Sequence, residues 1–369
     1  MPTPAERYRA VISHQEEQIL PFLRTFETLQ EQLHLAKVKQ YKQELFDKLG
    51  DLFPPLTTAL EGLTAPAGLE DFHQQWREAL THLEDAYTSF LTGSEFNFLV
   101  AYFQSRQAFS LGKYLLYSVR AQLPTLQQYW VLPEVLPRLA ELETPVAGVA
   151  VGTGVMHRPS TDAHGEYSLY VPENYDPSRR WPLIIAMHGG HGRGDDYLLT
   201  WLRPAKSKGS IVLSPKSLDR TWSIQQPDLD IRSILSMVEE LLDEYAIDTG
   251  RLFATGLSDG GTFSYALGLS CPKLFAGIAP VAGVLAPWYD LEASKLLPVF
   301  IVHGAQDFIF PVSTARTTYT LLTQSEFANV TYKELPDWGH AYTYSINETL
   351  LLPWFEGLPS RQHKVTGKR

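Results

Sequence analysis

The chain has 369 residues, of which 44% are hydrophobic and 20% charged, with a formal net charge of −10. That is the composition of a globular protein long enough for two domains, and its acidity argues against a nucleic-acid partner. A single cysteine, Cys271, excludes an intrachain disulfide.

The N-terminal stretch MPTPAERYRAVISHQEEQ lacks the apolar core of a secretory signal. No run approaches the ~18 apolar residues of a membrane-spanning helix. With the lone cysteine, these features lead us to expect a cytoplasmic protein without an integral membrane segment.

Residues 1–143 read as helical. Phe22, Phe26, Leu29 and Leu33 form an apolar stripe, continued by Val38, Tyr41, Leu45 and Leu49. Phe72, Trp76, Leu80, Leu83, Tyr87 and Leu91 repeat it. This is the spacing of helices that bury one face. Gly and Pro mark a break over 50–68, and a second break falls at Thr92–Ser94, where Ser94 is placed to cap the helix beginning EFNFLVAYF. The expectation is a bundle-like domain acting as a cap, a scaffold or a homo-oligomer surface. His14, His34, His73 and His82 are scattered without metal-ligand spacing.

Residues 144–369 follow another pattern. ETPVAGVAVGTG, EYSLYVP, WPLIIAMHGG, SIVLSP, RLFATGLS, FAGIAPVAG, LPVFIVHG and VTYKELP are short apolar runs bounded by Gly, Pro or Asp. Helical patterns such as IRSILSMVEELLDEY and STARTTYTLLTQS lie between several of them. Alternation of this kind predicts an α/β domain with a mostly parallel sheet, its strands covered on both faces. The basic end RQHKVTGKR reads as a solvated tail.

Within this half, GLSDGG places Ser258 between Gly256 and Gly260, after the strand RLFAT and before the helix GTFSYALGL. With 25 glycines and 24 serines in the chain, G-x-S-x-G is expected about 0.1 times by chance, so context must decide. A strand, a sharp turn and a helix are what a nucleophile elbow needs, with small neighbours to let the turn close. The ordinary alternative is a glycine turn that happens to hold a serine.

A serine nucleophile needs a base, and the base needs an orienting acid. Asp307, in HGAQDFIFP, and His340, in DWGHAY, each follow a strand. Asp307 could instead cap the next helix, and Asp337 is the alternative acid. Developing negative charge calls for backbone donors. The Asp259 N–H is one candidate, and Gly190 in WPLIIAMHGGHGRGDD is the other, with His191 as second choice. His188 and His303 read as loop supports. His188, His191, Asp195 and Asp196 match no metal motif, so no metal is expected.

The order Ser258, Asp307, His340 is that of α/β-hydrolases. LYVPENYDPSRRWPLIIAMHGG, DEYAIDTGRLFATGLSDGGTFSYAL, HGAQDFIFP and DWGHAY together resemble the phospholipase/carboxylesterase, feruloyl-esterase and polyhydroxybutyrate-depolymerase-like members of that superfamily, over about 165–357. The helical half lies outside the resemblance. What the resemblance implies is a serine esterase that uses an acyl-enzyme, needs no cofactor and acts on a small-molecule ester. A lysophospholipase, thioesterase or serine peptidase would use the same residues, and a non-catalytic binding protein could keep the same fold. Trp222, Trp288 and Trp338, with His191, are the candidates for a substrate pocket, each as readily a packing residue.

Overall fold

A computed structural model describes residues 3–94 and 97–361. The chain divides into two compact units, Met1–Leu136 and Pro137–Arg369.

The first unit is helical: α1 (Pro4–Glu31), α2 (Val38–Leu49), α3 (Phe53–Glu61), α4 (Glu70–Thr92), α5 (Phe98–Ser118) and the short α6 (Pro124–Gln127). Thr3 and Glu6 form a capping box at the start of α1. The apolar stripes converge on an aromatic core in which Phe22 meets Phe26, Phe53, Tyr87 and Phe109. At Gly112 a Cβ would come within 2.7 Å of the Leu83 side chain, so the glycine lets α5 approach α4. Two buried polar side chains of α1 link it to other helices. Gln15 joins the Leu56 carbonyl to the Trp76 indole, and Glu16 accepts the Thr125 and Leu126 N–H groups at the start of α6.

Two local expectations are corrected here. The Gly/Pro-rich stretch 50–68 contains α3, because prolines in the first turn of a helix forfeit only hydrogen bonds that turn leaves unmade. Ser94 does not cap α5. That helix begins at Phe98, after Asn97, whose Oδ1 accepts both the Ser94 N–H and its hydroxyl. Glu95 and Phe96 lie outside the described residues, as does most of the basic end.

The second unit opens with the short helix α7 (Leu139–Glu143), followed by an eight-stranded sheet. Its strands are β1 (Gly154–Arg158), β2 (Tyr167–Val171), β3 (Trp181–Met187), β4 (Ile211–Pro215), β5 (Ile247–Leu257), β6 (Gly277–Val281), β7 (Val299–Gly304) and β8 (Val330–Leu335). The order across the sheet is β1-β2-β4-β3-β5-β6-β7-β8. β1 and β2 are antiparallel, as are β2 and β4, and the remaining pairs are parallel. ETPVAGVAVGTG forms no strand before its last glycine; β1 is GVMHR, and Val149 and Val151 pack onto the core instead.

Helices α8 (Gly194–Lys208), α9 (Asp228–Glu244), α10 (Asp259–Ser270) and α11 (Val312–Gln324) lie between strands in the chain. Strands β2 to β7 are buried along nearly their whole length, as their continuous apolar runs require. β5 pairs with β3 and β6, which puts Leu257 opposite Val281 and Gly256 opposite both Met187 and Pro280. The loops after β3, β5, β7 and β8 thus leave the carboxyl edge of one sheet, where open parallel sheets bind ligands.

Candidate active site

Ser258 stands at the junction of β5 and α10 with φ 60° and ψ −119°. A non-glycine residue there carries roughly 1–3 kcal/mol of backbone strain, held by its surroundings. The Ser258 N–H donates to the Val281 carbonyl at 3.0 Å, and the Ser258 carbonyl accepts from the Thr262 N–H at 2.8 Å. The flanking glycines are steric requirements. A Cβ on Gly256 would lie 2.5 Å from the Gly260 carbonyl, and one on Gly260 would collide with the carbonyls of Met187 and His188.

His340 and Asp307 meet directly, with His340 Nδ1 2.8 Å from Asp307 Oδ2. The other carboxylate oxygen accepts the N–H groups of Ile309 at 2.9 Å and Phe310 at 2.8 Å, which fixes the acid turn. Asp307 does not cap α11, whose N-terminal neighbour is Pro311. Burial alone would push the Asp307 carboxyl up. Hydrogen bonds from His303 and His340, the His340 charge and the Phe310 N–H outweigh it and hold the carboxyl well below the usual carboxylate range. Asp337, the alternative acid, is exposed, and no hydrogen bond joins it to His340 among the described residues. The Phe310 ring stands edge-on to the His340 imidazole at 5.5 Å.

His303 lies behind this pair, fully buried. Its Nε2 is 2.8 Å from the Phe310 carbonyl and 3.3 Å from Asp307 Oδ2, so an Nε2–H serves the turn and the acid together. Its Nδ1 is buried and has no hydrogen-bond partner among the described residues. Among the described residues no hydrogen bond joins the Ser258 hydroxyl to His340. Contacts of that kind tighten when substrate binds.

The loop after β3 carries Gly190 and His191. His191 has φ 56°, and its N–H donates to the Arg220 carbonyl at 3.1 Å. That N–H is committed within the fold, which leaves Gly190 as the candidate donor of the two. His188 is buried under the loop: its Nε2 accepts the Ser217 N–H at 3.1 Å, and its Nδ1 donates to the Gly189 carbonyl at 2.7 Å. The Asp259 carboxylate accepts the Thr221 hydroxyl at 2.5 Å. Nothing in the sequence marked Thr221, because a lone threonine in a loop carries no pattern.

The three tryptophans occupy different settings. Trp222 is 2% exposed, stacks on Phe263 and donates its indole N–H to the His188 carbonyl at 2.8 Å. It supports the β3 loop from below and presents almost no surface to a ligand. Trp338 is also buried, and its carbonyl accepts the Gln306 N–H at 3.0 Å. Trp288 is 58% exposed, in the loop after β6. Phe308 and Ile309, beside Asp307, are also exposed.

Residues 218–349 match the family model described as Phospholipase/Carboxylesterase, a span that holds Ser258, Asp307 and His340 but not the β3 loop. Feruloyl esterase C of Emericella nidulans is 29% identical over 154 residues, covering 40% of this chain and 56% of that protein. Feruloyl esterase B of Thermothelomyces thermophilus is 32% identical over 127 residues, or 31% of this chain and 43% of that one. The chain thus spans about half the length of these curated relatives. Among solved structures, a thermostable esterase aligns with 24% identity and a TM-score of 0.47, over 55% of this chain and 62% of its own. No helix among the described residues is long and apolar enough to cross a membrane.

Proposed function

We propose that this α/β-hydrolase is a serine hydrolase of carboxylic esters, with Ser258 as nucleophile, His340 as general base and Asp307 as the orienting acid. The observation that carries the reading is the 2.8 Å contact between His340 Nδ1 and Asp307 Oδ2, at the sheet edge where Ser258 is held at positive φ.

Asp307 fixes the Nδ1–H tautomer of His340, which leaves Nε2 free to take a proton. As Ser258 Oγ attacks the ester carbonyl carbon, that proton passes to His340. The carbonyl oxygen becomes an oxyanion, stabilised by the N–H groups of Asp259 and Gly190. His340 then returns the proton to the leaving alcohol, and an acyl-serine remains. Water, deprotonated by His340, attacks the acyl carbon and releases the acid with Ser258 restored. The relatives named as feruloyl esterases make aromatic acyl esters the first substrates to try.

The test is labelling by a fluorophosphonate probe together with turnover of feruloyl, acetyl and longer acyl esters, with thioesters, lysophospholipids and peptides alongside. Labelling and ester turnover in the wild type, both lost in a folded Ser258→Ala protein, are expected. A well-folded wild type that neither labels nor hydrolyses any ester would overturn the reading and favour a binding protein.

A further inference from the structure

We infer that the Asp259 side chain and the Thr221 hydroxyl form a positioning pair that fixes the second oxyanion donor, a conclusion that rests on the serine-hydrolase reading above. Asp259 follows the nucleophile, and its N–H is the first donor. Its side chain reaches elsewhere. Oδ2 accepts the Thr221 hydroxyl at 2.5 Å, and a Cβ on Gly190 would lie 2.7 Å from that same oxygen. The carboxylate therefore fills the space that a side chain at 190 would take. One residue spans the elbow, the β3 loop and the loop after β4.

Three further hydrogen bonds join the latter two loops: Ser217 N–H to His188 Nε2, Trp222 Nε1–H to the His188 carbonyl, and His191 N–H to the Arg220 carbonyl. Thr221 lies within this ladder and ties it by a hydrogen bond to the first residue of the elbow helix, beside the stacking of Trp222 on Phe263. Oxyanion donors act through fixed position, and misplacement by about 1 Å can cost about a hundredfold in rate. The bond has a second consequence. It gives the carboxylate a donor of its own, so that its charge is held by the hydroxyl while a like charge develops on the substrate. Asp259 thus acts twice, through its N–H on the oxyanion and through its carboxylate on the placement of Gly190.

The test uses the full chain. Thr221→Val is nearly isosteric and removes the donor, whereas Thr221→Ser keeps it. The valine variant is expected to lose about ten- to a hundredfold in kcat, with KM changed by less than about threefold. Its rate of phosphonylation by a fluorophosphonate should fall in parallel, because that reaction uses the same donors. Thr221→Ser should recover most of both. In the Thr221→Val background, Asp259→Asn should cost less than it does alone, as expected of a pair. Wild-type kcat in Thr221→Val, or losses that simply add, would overturn the inference while leaving ester turnover by the wild type intact. Should the valine variant not fold, Thr221→Ala against Thr221→Ser makes the same comparison. Failure of the wild type itself to label or turn over would instead sink the serine-hydrolase reading.

Discussion

His340 Nδ1 lies 2.8 Å from Asp307 Oδ2, across 33 residues of chain that include α11 and β8. The contact joins two loops at one edge of the sheet, and parallel pairing of β7 with β8 brings them there. With His340 as the base, Asp307→Asn should leave a folded protein whose imidazole is held in the wrong tautomer, and kcat should drop by on the order of 10⁴. Asp337→Asn, at the exposed neighbour, should change kcat by less than about twofold. Steady-state kinetics on one ester would decide, and the reverse pattern would transfer the role to Asp337.

The same carboxylate makes stability depend on pH. Its folded-state pKa is depressed, because the His303, His340 and Phe310 hydrogen bonds outweigh burial. A group of this sign contributes stability above the unfolded carboxylate range, and the contribution is lost as pH falls through that range toward the folded value. Thermal melts between neutral and acid pH should show the wild type losing stability on the acid side. Asp307→Asn, which cannot titrate, should show a shallower loss, and an identical acid slope in the two proteins would contradict the assignment.

His303 offers a test of the support behind the acid. Its Nε2 serves both the Phe310 carbonyl and Asp307, so His303→Leu leaves the half-buried Phe310 carbonyl and the buried Asp307 carboxylate each short of a donor. A loss of roughly 1–3 kcal/mol in stability is expected, with kcat reduced about tenfold as Asp307 loosens. His303→Gln can place an amide N–H near the same point and should recover part of both. Urea denaturation and kinetics on the two variants separate a donor requirement from simple loss of volume.

The elbow glycines yield a steric prediction. Gly260→Ala sets a methyl group against the Met187 and His188 carbonyls, in backbone that cannot move without breaking the β3–β5 pairing. Destabilisation of about 2–3 kcal/mol or more is expected, together with loss of probe labelling. Gly357→Ala meets nothing within 4 Å among the described residues and should stay within about 0.5 kcal/mol of the wild type. Equal melting temperatures for the two variants would show that the turn is looser than its contacts imply.

By itself the sequence determined the two backbone regimes, since a helical stripe and a run of buried strands are periodic over a few residues and need no distant partner. It also marked the strand–turn–helix around Ser258, although the crowding that demands Gly260 comes from the Met187 and His188 carbonyls of a distant strand end. It marked Asp307 and His340 as residues that follow strands. Local reading failed where chemistry depended on position within a turn, as at Phe53–Glu61, where prolines begin a helix, and at Ser94, which pairs with Asn97. Tertiary structure alone decided that His340 meets Asp307, that the His191 N–H is committed to Arg220, that Trp222 is buried beneath the β3 loop, and that Thr221 reaches Asp259. Each of these is a contact between loops separated by whole strands and helices. Sheet order and register set which loops become neighbours, and no short-range pattern in the chain encodes them.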